Sequence, residues 1–489
     1  MNDLGIAQQS KQWLRADPSR VITQLFVPGQ DLVGGSESRM SEIVARVLEL
    51  DEAQVAEVLD ELLERFSSRH DNLTSVFEDH AARVSGFFTV PISTARRQLL
   101  GATFTNEYSL EGAAICNPSL VAHPDQEGVP PNGLRVIMSY RSIGEEHVSS
   151  INFRVGEIDG HGNLEFGKPR PGPVVGSISD ALLKREVFRA KLCDADLYGA
   201  TTSWVLDSLN SRFSPLELDA AISKLEEQSD TRSNVSKIIG VLCSVAACCY
   251  VSSFDDQTDL SQRVLWPAAV SESNGMEDAR FVQFHGEATS RYLASYTAYD
   301  GRTVSQQLLE TEDFKTFQSS PLAGLAAKNK GLSIFPRQVG GEYVALSRHD
   351  RESNAVAFSS NLHRWDRVSP VQTPRHPWEM IQLGNCGSPI ELPEGWLVIT
   401  HCVGPMRTYA LGALLLDLND PSKVLGYLDR PLLLPEAEHR DGYVPNVVYS
   451  CGSLLHQEML YIPYGANDQA ISYATVQISD LLGTLQPVT

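Results

Sequence analysis

The chain has no Cys-x-x-Cys pair, although eight cysteines are scattered along its 489 residues. No spacing of Cys and His resembles a zinc site, so no metal is expected and the thiols read as reduced, as in a cytoplasmic protein. The first twenty residues, MNDLGIAQQSKQWLRADPSR, lack an apolar core, so no signal peptide is expected. The longest apolar run, Ile238 to Val251, is too short and too rich in small residues to span a bilayer. Basic residues are also scarce: 40 against 61 acidic ones, for a net charge of −21. That argues against nucleic acid or an anionic membrane surface as partner, while leaving room for a local basic pocket. Hydrophobic residues make up 42% of the chain, enough for a substantial core.

The chain changes texture once. Residues 1–95 read as an α-helical N-terminal extension. Met40, Ile43, Val44, Val47 and Leu48 keep the 3.6-residue period. A second helix is predicted from Asp51, an N-cap candidate with Gln54 at the capping-box position. A third carries Leu73, Val76, Phe77, His80 and Val84. His70 and His80 are assigned no chemistry. From about residue 96, short strands rich in Val, Ile, Tyr and Leu alternate with Gly, Pro, Asn and Asp clusters, an all-β texture.

One strand pattern recurs five times, as Phe153–Asp159, Gln307–Asp313, Val356–Leu362, Gly412–Leu418 and Ser472–Ile478. The last four copies fall near the roughly 50-residue period of a propeller blade. A helical stretch at about 215–247 accounts for part of the longer first gap. The reading is a five-bladed β-propeller over 96–489 with a helical insertion.

The candidate chemistry centres on Ser273-Asn274-Gly275-Met276-Glu277-Asp278-Ala279-Arg280, ahead of the predicted strands Arg280–Phe284 and Arg291–Tyr299. Acid–base chemistry on a sugar needs a carboxyl group held at a pocket wall. Strand alternation puts only one of Glu277 and Asp278 into that pocket and leaves the other to pair with Arg280. Other polar clusters at predicted strand ends include Asn117, Tyr140-Arg141, Asp300-Gly301-Arg302, Asn329-Lys330, Arg348, His401, Arg407-Thr408-Tyr409 and Asn467-Asp468. Each is weak alone. In a propeller they would converge on one axis.

The sequence resembles glycoside hydrolase family 130, the β-mannoside phosphorylases and related β-mannosidases, over about residues 100–489. The resemblance is carried by Asn117-Pro118, Tyr140-Arg141, Gly275-Met276-Glu277-Asp278-Ala279-Arg280, Phe335-Pro336-Arg337, Gly395 to His401, Leu411 to Asp417, Gly442 to Val448 and Tyr464 to Asp468. It implies a five-bladed β-propeller that cleaves terminal β-mannosides by inverting phosphorolysis, with phosphate as co-substrate and no other cofactor. It implies Asp278 as general acid, acting through the O3 hydroxyl of the mannosyl unit. Asn117, Arg141, Asp468 and Tyr409 match positions around the mannose. Arg348 and His401 match phosphate-binding positions. The chain departs from the pattern at Lys330-Gly331, where an Arg-Asn pair is usual, and at Gln382, where a Lys is usual. It also reads Glu-Asp-Ala-Arg instead of Glu-Asp-Pro-Arg at the acid. Lys330, Arg302 and Arg407 are the cations expected to complete the phosphate clamp. Hydrolysis on the same fold and a non-catalytic glycan-binding propeller are the alternatives. The two helical regions are expected to serve subunit contacts in a homo-oligomer or to shape acceptor subsites.

Overall fold

Five times along the chain, the computed structural model repeats one antiparallel arrangement of four strands. Residues 2–28, 36–70, 72–87, 91–228, 232–286, 290–436 and 441–488 are described. The first unit runs Ala114–Ala122, Leu134–Ile143, Ser149–Ile158 and Leu164–Phe166. The second runs Gly275–His285, Ser290–Tyr299, Val304–Thr311 and Thr316–Pro321. The third comprises Ser333–Ile334, Tyr343–Ser347, Asn354–Ser359 and Arg367–Gln372.

In the fourth, Gln382–Asn385 and Ile390–Leu392 share one side of Gly395–Val403, followed by Tyr409–Leu416 and Val424–Tyr427. In the fifth, Val448–Tyr449 and Leu454–His456 share one side of Met459–Ala466, which pairs on its other side with Ala470–Gln477. All five copies of the recurring sequence pattern fall on the third strand of a unit. There most residues on both faces of each strand are buried, so apolar character is retained.

Apolar clusters tie the units in succession. Phe153 of the first packs with Phe281, Tyr296 and Phe314 of the second. Leu293 and Leu308 of the second share a core with Ala345 and Ala357 of the third. Val344 and Val356 of the third pack with Trp396 and Leu414 of the fourth, and Leu397 and Leu411 of the fourth with Leu460 and Ile462 of the fifth. The succession then returns to its start: Tyr461 and Ile471 of the fifth unit pack with Val136, Met138 and Tyr140 of the first.

Residues 2–16 do not form part of a helical extension. Gln8–Gln9 and Leu14–Arg15 pair antiparallel with Ala470–Gln477 and supply the outer strands of the fifth unit. Trp13 meets Tyr464 edge to face at 6.3 Å, and the Tyr464 hydroxyl donates to Gln9 at 2.8 Å. The helical insertion is likewise longer than expected. Arg185–Asp194 and Ala200–Asp207 precede Pro215–Gln228 and Arg232–Ala247, and together they bury Phe188, Leu206, Phe213 and Leu242. Asp194, Asp196 and Gly199 interrupt the apolar period there and hid the first two helices.

Residues 17–112, with 170–174, form a separate compact unit. It holds the helices Ser36–Leu48, Glu52–Phe66, Leu73–Arg83 and Thr94–Thr103, together with paired strands Val21–Leu25 and Thr105–Ser109. Asp51 and Gln54 make the expected capping box. Buried Arg96 donates to the carbonyls of Val47, Leu48 and Leu50, which a helix end otherwise leaves unsatisfied. His70 bonds Glu107 and His80 bonds Thr105, so both act structurally.

Deleting residues 2–16 should strip the outer edge of the fifth unit. Amide hydrogen exchange across Ala470–Gln477 is expected to speed up by about tenfold or more, with Val21–Leu25 unchanged. Unaltered protection in Ala470–Gln477 would show that these strands do not hold that sheet.

Candidate active site

Two of the units begin with a broken register. Pairing in the first slips between Cys116 and Ser119, and in the second between Glu277 and Arg280. The slips put Asn117 at φ 53° and Asp278 at φ 56°, left-handed conformations that Asn and Asp tolerate better than most residues. A bulge bends its strand and re-aims side chains. Here it turns the two residues toward each other, and the Asn117 amide donates to Asp278 Oδ1 at 2.5 Å.

The bulge overturns the expected pairing with Arg280, although Asp278 alone of the two carboxylates lines the cavity. Glu277 and Asp278 reach the same guanidinium: Arg141 lies 2.7 Å from the Glu277 carboxylate and 3.6 Å from that of Asp278. Arg280 takes neither carboxylate as hydrogen-bond partner. It donates to the Asp278 backbone carbonyl and to the Tyr449 hydroxyl, at 2.9 and 2.7 Å. Arg141 is held from behind by the Ser149 hydroxyl at 2.8 Å. Gly275 permits this approach, because at φ +136° a Cβ there would sit 2.7 Å from Ser149.

A cavity of about 210 Å³ opens over these residues. Asn117, Arg141, Asp278, Lys330, Arg348, His401, Arg407, Tyr409 and Asp468 line it, with Gln382, Val447 and Tyr449. Nine of the ten residues singled out from the sequence therefore meet at one place. Arg302 does not line it. It is exposed on the turn after Ser290–Tyr299, where the Asp300 carboxylate accepts from its backbone N–H.

The cations are not equivalent. Lys330 is drawn to Glu277 at 2.5 Å. The Arg348 guanidinium meets His401 Nε2 at 3.3 Å, and Asn329 donates to the Arg348 carbonyl. His401 Nδ1 lies 3.1 Å from the Asn385 carbonyl, which can only accept, so Nδ1 carries the proton and Nε2 faces Arg348 as acceptor. Burial pushes the His401 pKa well below its ordinary value, and Arg348 and Arg280 push it the same way. The imidazole is thus neutral and orients Arg348 instead of adding charge.

The two carboxylates of the cavity diverge. Burial acts to raise Asp278, but Arg141, Lys330, Arg280 and the Asn117 bond outweigh it and hold the group below the ordinary range. Burial raises Asp468 to about 6; the nearby Asp278 charge adds to this while Arg141 and Arg407 oppose it.

The family model for β-1,4-mannooligosaccharide phosphorylases of glycoside hydrolase family 130 matches residues 255–486. A 1,2-β-oligomannan phosphorylase of Thermoanaerobacter sp. (strain X514) is 33% identical over 233 residues, covering 45% of this chain and 75% of that protein. The chain belongs to glycoside hydrolase family 130. A β-1,2-mannobiose phosphorylase of Listeria innocua is 31% identical, covering 45% of this chain and 63% of that protein. Among solved structures, the β-1,2-mannobiose complex of the Listeria innocua enzyme aligns at a TM-score of 0.46 and 20% identity, covering 77% of this chain and 93% of that one.

Within this family 130 cavity, Tyr449 is the lining residue the sequence reading passed over. It lies one position beyond the Gly442 to Val448 motif, and its ring stands 4.7 Å from that of His401. Burial pushes its hydroxyl pKa well up, so it stays protonated beside Arg280. Asp468, at φ 48° beside Asn467 at φ 54°, lines the cavity from the fifth unit.

Asp468 carries a stability consequence. A carboxyl group with a folded pKa raised from 3.8 to about 6 favours the fold when protonated, so its cost appears as pH rises through that window. Asp468→Asn should therefore raise stability at pH 7.5 by about 1–3 kcal/mol, less where solvent screens the group, and change little at pH 3.5. Thermal unfolding at both pH values checks this; an equal effect at both would reject the assignment.

Proposed function

We propose that the chain is a β-mannoside phosphorylase, and that its five four-stranded units close into a five-bladed β-propeller around the cavity. The unbroken succession of shared cores, from the first unit through the fifth and back to the first, supports that closure. The observation that carries the function is the pairing, in one small cavity, of a buried carboxylate with an excess of cations. Arg141, Lys330, Arg348 and Arg407 stand against Asp278 and Asp468.

A phosphorylase needs a proton donor but no carboxylate base, since phosphate is already a nucleophile. It needs cations to hold that nucleophile beside an acid. In this reading a phosphate oxygen attacks the anomeric carbon from the face opposite the leaving group. The C1–O bond breaks, and the proton of Asp278 passes through the mannosyl O3 hydroxyl to the departing oxygen. The products are α-D-mannose 1-phosphate and a shortened acceptor. Lys330, Arg348 and Arg407 hold phosphate, with His401 orienting Arg348; Arg302 is left out of the clamp. Asn117, Arg141, Tyr409 and Asp468 hold the mannose. An empty cationic cavity keeps Asp278 ionised. An entering phosphate cancels part of that field and favours the protonated acid.

Hydrolysis is the competing reading, with Asp468 as the only other carboxylate in the lining, among the described residues, to serve as base. Eight free cysteines among the described residues accord with a reducing cytoplasmic location, and we assign the unit 17–112 an accessory role in self-association or acceptor binding.

Three of the similar curated relatives carry β-1,2 in their names, so β-1,2-mannobiose is the first substrate to test, followed by β-1,3 and β-1,4 manno-oligosaccharides. Mannose 1-phosphate is expected only when phosphate is present, and Asp278→Asn should lower turnover by about 10²–10⁴-fold. Free mannose released at the same rate without phosphate would replace this reading with hydrolysis. Unchanged turnover in Asp278→Asn would remove the acid from it.

A further inference from the structure

A second cavity, of about 450 Å³, lies between the helical insertion and strands of the second and third units. It shares no lining residue with the first. In a chain of net charge −21 its lining is cationic: among the described residues, Lys184, Arg185, Arg189, Arg212 and Arg291 face only two carboxylates, Glu186 and Glu310. We propose that it binds a phosphorylated small molecule, a phosphate monoester whose dianionic head meets these cations.

Three observations support this, each from a different part of the wall. The Glu310 carboxylate is already shared between Lys184 at 2.7 Å and Arg291 at 3.0 Å, so one negative charge answers two positive ones. Arg189 and Arg212 are exposed and add charge that Glu310 does not reach. The helix Arg185–Asp194 begins at the cavity and has no side-chain cap, so the partial positive charge of its first turn adds to the same field.

His363 is a further lining residue, only 2% exposed, whose Nδ1 has no hydrogen-bond partner. Its other nitrogen lies 3.5 Å from both Lys184 and Glu186. Burial lowers its pKa to about 4, with Lys184 acting in the same direction, so the ring is neutral near pH 7 and contributes a hydrogen bond, not a charge.

A phosphate monoester fits better than a carboxylate. Its two charges and three terminal oxygens match forked guanidinium donors and a lysine together. Tyr343 and Asn361 offer an aromatic face and an amide to an organic body, and the cavity has room for one. The inference does not rest on the proposed reaction, because none of these residues belongs to the catalytic cavity.

Equilibrium dialysis of the full chain with labelled inorganic phosphate, and separately with labelled α-D-mannose 1-phosphate, tests it. Wild-type protein is expected to take up each probe at two sites. The exposed pair Arg189→Glu/Arg212→Glu should weaken one site by about tenfold or more and leave basal turnover unchanged. Arg348→Ala should affect the other site only. The milder pair Arg189→Gln/Arg212→Gln should fall between, which guards against misfolding of the reversed variant. Tighter uptake of mannose 1-phosphate than of phosphate at the Arg189/Arg212 site supports recognition of the organic body. Uptake of both probes by the Arg189/Arg212 variants as in wild type overturns the proposal. If only Arg348→Ala has no effect, the catalytic reading fails and this one stands.

Discussion

A carboxylate buried in protein is stable as an anion only if something replaces the water it lost. At Asp278 the replacement comes from two places at once: the Asn117 amide from a bulge in the first unit, and the Arg141 guanidinium from the next strand. Both bulges must form for that contact to exist, and each puts a residue in left-handed backbone that a regular strand would not need. Strain of this kind persists where the surroundings enforce it. The Gly275 approach to Ser149 and the Ser149 bond to Arg141 are part of that enforcement.

Around the carboxylate the groups divide by electrostatic role. Glu277 lies beside it in sequence but is consumed by Arg141 and Lys330, so it tunes the cations and leaves Asp278 as the acidic group that lines the cavity from that strand. His401 is neutral and spends its lone pair on Arg348. Asp468 bears the opposite perturbation to Asp278, close to the same Arg141. Two carboxyl groups whose surroundings drive their pKa values apart are what a site with divided acid and binding roles requires.

Much of this was legible in the sequence, for identifiable reasons. The five-fold repeat survives on third strands because most residues on both faces of each are buried, and apolar character cannot drift there. The Asp51–Gln54 capping box is a local signal and formed as expected. What strand alternation could not foresee is the pair of bulges, since a bulge inserts a residue without any marker in apolar period. The pairing assigned to Arg280 failed for that reason. The N-terminal strands at Gln8–Gln9 and Leu14–Arg15 were missed because each is two residues long and exists only through its pairing with Ala470–Gln477. Arg302 looked equivalent to its neighbours in sequence, yet its turn is fixed by Asp300 on the outside of the cavity lining.

The central claim is that the surrounding cations keep Asp278 ionised until phosphate offsets them. Carbon-13 titration of the Asp278 carboxyl group, assigned by difference against Asp278→Asn, measures this directly. The account predicts a midpoint below 3.8 in the free protein and a higher one at saturating phosphate. A free-protein midpoint above that value, or one that phosphate leaves unmoved, would contradict it.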